Sequence, residues 1–397
     1  MSYPNPAHTI SRKTAIAGIG ATEFSKESGR SELQLAIEAT LDAIENAGLK
    51  PSDIDGMVTY TGDTNPEIDI ARATGIGELT YFSRVHYGGG ACCGTILQAV
   101  LAVASGVAKA VVCYRAFNER SGNRFGAGVQ NRPPVPNAEN AQFAWYAPYG
   151  LLTPAQWVAM FTRRYMHQYG ASSEDLGRVA VAGRDFAARN PKAWFYNKPI
   201  TIEDHQNSRF ITEPLRLLDC CQESDGAQAI VVTSIERARD LQDKPAVIAA
   251  VAQGSGVLQD MMTSYYRENI AHLPEMALVA RQLWAMSGLE VKDLSCAILY
   301  DAFTPFVLMQ LEDFGFCARG EAKDFVKDGH ISRGGSIPVN THGGQLGEAY
   351  IHGMNGIAEG VRQIRGSSSN QLEVVENVLV SSGTGVPTSA MILCRDE

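Results

Sequence analysis

The chain has 397 residues, of which 45% are hydrophobic and 19% are charged. At about 150 residues per domain, this length suggests two or three domains or one large two-part fold, and the composition excludes a disordered or low-complexity protein. The formal net charge of −9 provides no basic field for nucleic acid, so general DNA or RNA binding is also excluded.

The first predicted unit is a strand, a helix and a second strand. Residues 14–20 form an apolar run that is typical of a short buried strand. Ser31, followed by Gln34, predicts a helix that begins with a capping box, and Gly48 predicts the end of that helix. Residues 57–60 predict the next strand.

A second unit begins at the glycine turn of residues 88–90. This turn leads into a predicted helix from about Cys93 to Ser105, and a strand is predicted over residues 108–114. Strands that alternate with helices are typical of a mostly parallel sheet, and we therefore predict one.

The chain is similar to itself at an offset of 240 residues. The two copies share a glycine that ends a helix, an aspartate turn and a strand, and they follow the strand-like runs 14–20 and 245–252. We therefore predict two similar α/β halves, residues 1–242 and 243–397, that pack together. The matched positions are Gly48, Leu49, Asp53, Ile54, Val58 and Tyr60 with Gly288, Leu289, Asp293, Leu294, Ile298 and Tyr300.

A segment of the first half, about residues 115–210, has no counterpart in the second half. It is rich in Gly, Pro, Asn and aromatic residues, and it contains Trp145, Trp157 and Trp194. We predict an inserted loop domain, which either packs on itself or walls an apolar substrate pocket or a subunit interface.

Cysteine spacing and hydropathy predict the compartment. The eight cysteines include no C-x-x-C spacing, which argues against a zinc site and a disulfide framework. Residues 1–13 lack the apolar stretch of a secretory signal. The most apolar stretch, residues 96–114, is interrupted by polar residues and falls short of the roughly 20 apolar residues of a membrane span. We therefore predict a cytoplasmic protein without a membrane span or a bound metal.

Five short motifs carry a family resemblance. Cys93 begins CGTILQA, Ser224 begins SDGA, Tyr300 begins YDAF, Asn340 begins NTHGG, and Ser381 begins SSG. With the duplication, these segments resemble the C-x-S-G-x-x-A, D-G-A, N-E-A-F, N-x-x-G-G and C-x-G motifs of the thiolase superfamily over nearly the whole chain. The resemblance implies the thiolase fold, with two duplicated α/β halves in a layered αβαβα arrangement.

The resemblance ends at the positions that carry thiolase catalysis. Tyr300 stands where the motif has Asn, Tyr350 where it has the His of G-H-P, and Ser381 where it has the second Cys. A thiolase needs a thiolate to take the acyl group, together with a His and a second Cys for acid and base chemistry. Thiolysis is therefore not expected. Cys93 stays a candidate nucleophile, against the alternative of a buried, inert thiol.

Tyrosines at two former catalytic positions resemble the thiolase-like lipid-transfer-protein aldolases of bacterial steroid side-chain degradation, relatives of the sterol-carrier-protein-x thiolases. This resemblance implies retro-aldol cleavage of a steroid β-hydroxy acyl-CoA, of the 17-hydroxy-3-oxo-pregnene-carboxyl-CoA type, to a 17-ketosteroid and propionyl-CoA. It also implies a homodimer, a partner that carries an OB fold and a zinc ribbon, and no cofactor beyond the CoA of the substrate.

Retro-aldol cleavage requires a base, an acid and a stabiliser for the thioester enolate. We predict that Tyr300 and Tyr350 share the proton transfers, without assigning which of them is the base. The backbone N–H groups of Cys93 and Gly383 are the predicted oxyanion hole.

Supporting roles and alternatives complete the predictions. Asp301 or His342 is expected to help position a proton, and His342 and His352 are interpreted as ordinary polar or supporting residues because the histidines do not cluster as metal ligands do. No lysine lies near the motif residues to form a Schiff base. Two alternatives stay open: a Cys93-dependent thiolase or acyltransferase, and a non-catalytic scaffold that binds lipid or CoA.

Overall fold

The computed structural model describes residues 7–86, 88–127, 144–260, 264–384 and 387–396. Residues 1–6, and residues 128–143 of the predicted insertion, lie outside the described residues. Strands β1 to β11 are Thr14–Ala21, Gly56–Tyr60, Tyr81–Val85, Ala110–Asn118, Phe210–Thr212, Leu215–Arg216, Asp225–Ser234, Ala246–Gly254, Cys296–Ile298, Asn377–Ser381 and Thr388–Cys394. Helices α1 to α13 are Ala7–Ile10, Glu32–Asn46, Glu67–Thr74, Cys92–Ala104, Pro154–Tyr169, Ser173–Arg189, Ile202–Asn207, Ile235–Leu241, Pro274–Ser287, Thr304–Asp313, Ala322–Lys327, Gly344–Gly347 and Met354–Arg365.

The main sheet of the described chain shows the duplication directly. Its nine strands follow the order β3-β2-β4-β7-β1-β8-β11-β10-β9. The order is symmetric about the junction of β1 and β8, since β1, β7, β4 and β2 on one side match β8, β11, β10 and β9 on the other. The halves join through a short antiparallel contact of Ala15 with Val247 and Ile16 with Ala246. The predicted duplication is thereby confirmed.

The prediction of a mostly parallel sheet is wrong. Parallel pairing joins β2 to β3, β2 to β4 and β9 to β10, whereas the other five pairings described in this sheet are antiparallel. A helical crossover makes neighbouring strands parallel, but β11 follows β10 through the short connection 382–387, and β7 follows β4 only after the long inserted segment. Neither connection imposes a parallel neighbour.

Two helices lie between the halves of the sheet. Helix α4 packs on β2, β4 and β7 of the first half and on β8 and β11 of the second, and α13 packs on β9, β10 and β11 as well as on β1 and β7. Helix α2 packs on strands of the first half, and α9 packs on β8 and β11. The predicted αβαβα layering is confirmed, and the central helices carry the motif residues to the middle of the molecule.

Helix α2 tests the predicted capping box. The Ser31 side chain accepts the Gln34 N–H at 3.1 Å, as predicted, and Gly48 follows the helix with a φ of +71°. The Gln34 side chain, however, donates to Glu38 instead of returning to the N-terminus of the helix. The cap is therefore formed on one side only, and the Gln34 side chain instead makes a bond along the helix to a carboxylate one turn away.

The inserted segment packs on the second half. Strand β4 continues to Asn118, so residues 115–118 belong to the sheet and not to the insertion. Helix α6 of the insertion packs on α10, α11 and α12, which surround the motif residues of the second half. The predicted boundary at residue 242 falls in the connection between α8 and β8. In the described part of the chain, no helix is long and apolar enough to cross a membrane.

Candidate active site

The motif residues meet where loops leave the central sheet. Tyr300 follows β9, Gly383 follows β10, Tyr350 precedes α13, and the glycine turn 88–90 precedes α4. The hydroxyl groups of Tyr300 and Tyr350 lie 3.2 Å apart, within hydrogen-bond distance. Tyr300 is buried and Tyr350 is half-buried, so the pair reaches the surface on the Tyr350 side. The structure thus brings the two predicted catalytic residues into direct contact.

Three glycines enclose the Tyr300 ring. A Cβ atom built on Gly89 would lie 1.8 Å from the Tyr300 hydroxyl oxygen, and one on Gly383 would lie 2.8 Å from its Cε1 atom. Gly353, which has a φ of +87°, would bring a Cβ to 3.1 Å from Cδ2. Any larger residue would collide with the phenol at the first two positions, so these glycines are required by close approach.

Ser381, at the position of the second thiolase Cys, supports the Tyr300 backbone. Its hydroxyl accepts the Tyr300 N–H at 3.0 Å and donates to the Gln310 Oε1 at 2.5 Å. The Gln310 Nε2 in turn donates to the Tyr300 carbonyl at 2.8 Å. These three hydrogen bonds form a closed set that fixes the backbone of Tyr300 through Ser381 and Gln310. Sequence reasoning missed Gln310, because it lies in the middle of helix α10 and outside every motif.

Tyr350 is held by the first half. Its backbone N–H donates to the Ser224 Oγ at 3.1 Å, and its ring meets the Phe117 ring edge-on at 6.3 Å between centroids. Close to the Ser224 backbone N–H lies the carboxyl group of Glu119. Glu119 is 3% exposed, and burial raises its pKa well above the usual value, which favours a neutral acid beside the site. Glu119 is a second residue that sequence reasoning missed.

The two phenols are electrostatically unequal. Burial raises the pKa of both well above the usual value near 10. The hydrogen bond with Tyr350 favours the phenolate of Tyr300 and lowers its pKa, whereas the charge of Tyr300 raises the pKa of Tyr350 further. Burial thus keeps both phenols protonated near neutral pH.

The predicted oxyanion donors are engaged inside the protein. The Cys93 N–H donates to the Ser382 Oγ at 2.7 Å, and the Gly383 N–H donates to the Gly89 carbonyl at 3.0 Å. An oxyanion hole built from this pair would require both bonds to be exchanged for bonds to the substrate. The Cys93 thiol is fully buried, with its S–H directed at the Val380 carbonyl at 3.5 Å.

Asp301 and His342 serve the local architecture. The Asp301 carboxylate accepts the N–H groups of Gln345 at 2.7 Å and Leu346 at 3.4 Å, which ties it to helix α12. Burial raises the Asp301 pKa to about 6. His342 is buried, with its Nε2 4.0 Å from a Glu348 carboxylate oxygen. Within the described residues, neither side chain has a hydrogen bond to the two phenols, and their role in proton positioning stays a prediction.

A buried cluster beside Tyr350 was not predicted. The Arg115 Nε donates to the His352 Nδ1 at 3.0 Å, and its Nη1 donates to an Asp63 carboxylate oxygen at 2.9 Å. The Tyr60 hydroxyl donates to the His352 carbonyl at 3.3 Å. Tyr60 is the counterpart of Tyr300 in the duplication, and this match was the sequence observation that could have directed attention here.

Comparison with known proteins identifies the family. Residues 236–395 match a family model described as thiolase C-terminal domain-like. The chain is 68% identical over 383 residues to a steroid side-chain-cleaving aldolase from Thermomonospora curvata, a match that covers 96% of this chain and 98% of the relative. It is 64% identical to the 17-hydroxy-3-oxo-4-pregnene-20-carboxyl-CoA lyase of Mycobacterium tuberculosis, which covers 97% of this chain and 100% of the relative.

A solved structure gives the same answer. The chain matches the Ltp2-ChsH2(DUF35) aldolase with a TM-score of 0.94 and 66% identity, over 98% of this chain and 99% of the other. The expected thiolase fold is confirmed, and so is the expectation of an aldolase in place of a thiolase. The chain belongs to the steroid side-chain-cleaving aldolase family within the thiolase superfamily.

Proposed function

We propose that this protein cleaves a steroid β-hydroxy acyl-CoA by a retro-aldol reaction, releasing a ring ketone and propionyl-CoA. The substrate is of the 17-hydroxy-3-oxo-pregnene-carboxyl-CoA type, and the product is a 17-ketosteroid. The observation that carries the proposal is the 3.2 Å contact between the Tyr300 and Tyr350 hydroxyls at the positions of two thiolase catalytic residues. The family membership supports an aldolase of this kind.

The unequal phenols suggest how the proton transfers are divided. In this division, Tyr300 takes the proton of the substrate hydroxyl as general base. The bond between the hydroxyl-bearing carbon and the thioester α-carbon then breaks, which leaves a ketone and a thioester enolate. Tyr350 protonates the α-carbon. Since the hydroxyls are in contact, the proton held by Tyr300 returns to Tyr350 and closes the cycle.

The reaction requires neither a nucleophile nor a resident cofactor. Retro-aldol cleavage is redox-neutral, and CoA enters as part of the substrate. The surroundings of Cys93 support this reading, since its thiol is fully buried and Ser381, in place of the second Cys, is bonded to Gln310 and to the Tyr300 backbone. A Cys93-dependent thiolase or acyltransferase is therefore the weaker alternative, as is a non-catalytic scaffold.

Partners complete the proposal. The solved relative is an aldolase with a ChsH2(DUF35) component, and we propose that this chain acts with a similar partner, of the OB-fold and zinc-ribbon kind that the family resemblance implies. In addition to this partner, two copies of the chain are expected to associate.

We further propose a homodimer. Strand β3 is an edge strand of the sheet, and Phe82 on it is 64% exposed, which suits pairing with a second copy. The eight cysteines, all within the described residues and none in a disulfide, suit a reducing cytoplasm.

Product analysis by mass spectrometry tests the function. The chain is co-expressed with its DUF35 partner and given the steroid β-hydroxy acyl-CoA, alongside the Tyr300→Phe and Tyr350→Phe variants. We expect the wild-type complex to form the ketosteroid and propionyl-CoA in equal amounts, and each variant to lose most of this activity. A stable wild-type complex that forms neither product would contradict the proposal, and acyl transfer lost in Cys93→Ser would favour the thiolase alternative.

A further inference from the structure

The proposed reaction places negative charge on the thioester oxygen when the carbon–carbon bond breaks. Loss of a single hydrogen-bond donor to such an oxygen typically costs about 10²–10³ in kcat. The two backbone donors that sequence reasoning selected, at Cys93 and Gly383, are bonded to Ser382 and Gly89. The enolate oxygen therefore needs a donor from elsewhere in the site.

His352 presents a fixed donor. Its Nδ1 accepts a hydrogen bond from the Arg115 Nε at 3.0 Å. An imidazole nitrogen that accepts carries no proton, so the proton of the neutral ring is on Nε2. The ring stays neutral because burial and the adjacent Arg115 charge hold the His352 pKa well below its usual value. A neutral imidazole with its proton on Nε2 is a hydrogen-bond donor that retains its proton during the reaction.

The Nε2 atom of His352 faces the same turn as the Tyr300 hydroxyl. A Cβ atom on Gly88 would lie 3.7 Å from the His352 Nε2, and one on the adjacent Gly89 would lie 1.8 Å from the Tyr300 hydroxyl oxygen. The Tyr350 ring meets the His352 ring edge-on, with centroids 5.1 Å apart. The turn of residues 88–90 thus borders both the Tyr300 hydroxyl and the His352 Nε2, and the ring of Tyr350 packs against the ring of His352.

The surroundings hold the imidazole in this orientation. The Phe125 ring stacks on it with centroids 5.1 Å apart and planes 27° apart, and Phe117 lies on it at 5.1 Å. His352 also has a φ of +49°, a left-handed backbone that is uncommon for a residue with a side chain and is often found at functional sites. The left-handed backbone and the hydrogen bond from Arg115 together fix the orientation of the His352 ring.

We propose that His352 is a catalytic residue, whose Nε2–H donates a hydrogen bond to the thioester oxygen of the substrate and stabilises the enolate. The proposal rests on the proposed aldolase function. The substrate hydroxyl proton passes to Tyr300, the electron pair of the broken carbon–carbon bond enters the thioester, and the α-carbon takes a proton from Tyr350. His352 keeps its proton throughout, and Arg115 acts as a positioning residue that selects its tautomer.

Two substitutions at His352 distinguish loss of the hydrogen-bond donor from loss of the folded structure. Asn tolerates the left-handed backbone and keeps an acceptor near the place of Nδ1, but its side chain does not reach the place of Nε2. Gln carries an N–H donor to about the reach of Nε2. In the complex with the partner, we expect His352→Asn to lower kcat about 10²–10³-fold with little change in KM. We expect His352→Gln to recover kcat to within about tenfold of wild type.

A second readout does not depend on steroid cleavage. Exchange of the propionyl-CoA α-hydrogens with deuterated water requires the same enolate, so we expect it in the wild type and expect it to be lost in His352→Asn. If the wild type cleaves the steroid and folded His352→Asn keeps kcat within threefold, roughly 0.7 kcal/mol, the His352 role is overturned while the function stands. If the wild-type complex cleaves no steroid acyl-CoA, the proposed aldolase function is wrong. Exchange of the propionyl-CoA α-hydrogens that is lost in His352→Asn would still support His352 as the hydrogen-bond donor to the enolate.

A measurement on the wild-type protein covers the case in which the Asn variant does not fold. In ¹⁵N-histidine spectra, propionyl-CoA should shift the Nε2–H proton resonance of His352 downfield, because its thioester oxygen accepts the bond. S-propyl-CoA, which lacks that oxygen, should not produce the shift. Equal spectra with both compounds would overturn the proposal.

Discussion

Tyr60 and Tyr300 occupy equivalent places in the two halves of the molecule, at the ends of β2 and β9. The ring of each is buried, and burial raises the pKa of each phenol well above its usual value. The Tyr60 hydroxyl donates a hydrogen bond to the backbone carbonyl of His352. The Tyr300 hydroxyl instead forms a hydrogen bond with the hydroxyl of Tyr350. Of the two, Tyr300 contacts a phenol that reaches the surface in the described structure, so we predict that the same residue type is structural in one half and catalytic in the other.

The difference comes from the residues packed around each ring and not from the strands that the two tyrosines follow. Around Tyr300, Gly89 from the first half and Gly353 and Gly383 from the second let the backbone approach the ring closely and leave its hydroxyl directed at Tyr350. In the first half, Arg115 and Asp63 fill the space beside Tyr60, with the guanidinium 5.5 Å from the centre of the ring. Duplication thus supplied two tyrosines, and their different neighbours predict different roles for them.

The strongest test of this comparison is to remove each hydroxyl in turn. Tyr300→Phe should lower kcat about 10²–10⁴-fold with the fold intact, because it removes the general base. Tyr60→Phe should lower kcat far less, since its hydroxyl reaches only the His352 backbone carbonyl, and cost about 1 kcal/mol of unfolding free energy, the value of one hydrogen bond. Steady-state kinetics with the steroid acyl-CoA and chemical denaturation measure both. Equal losses of kcat would show that the halves do not differ as described.

A second test displaces Tyr300 without changing its chemistry. Gly89→Ala would place a methyl group 1.8 Å from the Tyr300 hydroxyl oxygen, so the phenol must move. A displacement of about 1 Å at a reacting group typically costs about 10²-fold in rate, and we expect a loss of that order in kcat. Gly77→Ala is the matched control, since nothing lies within 4 Å of its Cβ position. A Gly89→Ala variant as active as Gly77→Ala would contradict the enclosure of Tyr300.

The pH dependence sharpens the assignment of the base. A base must be deprotonated to act, and burial raises the Tyr300 pKa well above its usual value, so only a small fraction is ionised near neutrality. The rate should therefore rise about tenfold per pH unit between about pH 7 and pH 9. Ionisation of the tyrosine base should produce no decrease of the rate in this range. The logarithm of kcat/KM against pH measures the slope. A flat profile would indicate that Tyr300 is not the base.

The smallest effect is expected at Cys93. Its thiol is fully buried against the Val380 carbonyl, and retro-aldol cleavage uses no nucleophile. Cys93→Ser keeps the size of the side chain and should retain most of kcat. A covalent mechanism would instead lose nearly all activity, since a serine hydroxyl is a far weaker nucleophile than a thiolate. Single-turnover product analysis of this variant distinguishes the two mechanisms.

Some features of the site were predictable because they are local. A glycine turn before a helix, a tyrosine after a strand and a serine in place of a cysteine each follow from a few adjacent residues. Motif order along two similar halves then placed Tyr300 and Tyr350 in one cavity, and their hydroxyls do meet at 3.2 Å. The parallel sheet was predicted wrongly, because strand direction depends on the path of the connections and not on the pattern within a strand.

The sequence by itself determined the duplicated α/β fold, the replacement of the thiolase residues and the identity of the tyrosine pair, since each is encoded in short patterns. Only the tertiary structure decided which polar groups are available for chemistry. The Cys93 N–H is bonded to a side chain 289 residues away, and Arg115 selects the tautomer of His352 across 237 residues. Hydrogen bonds and burial depend on neighbours in space, and no spacing along the chain reports them.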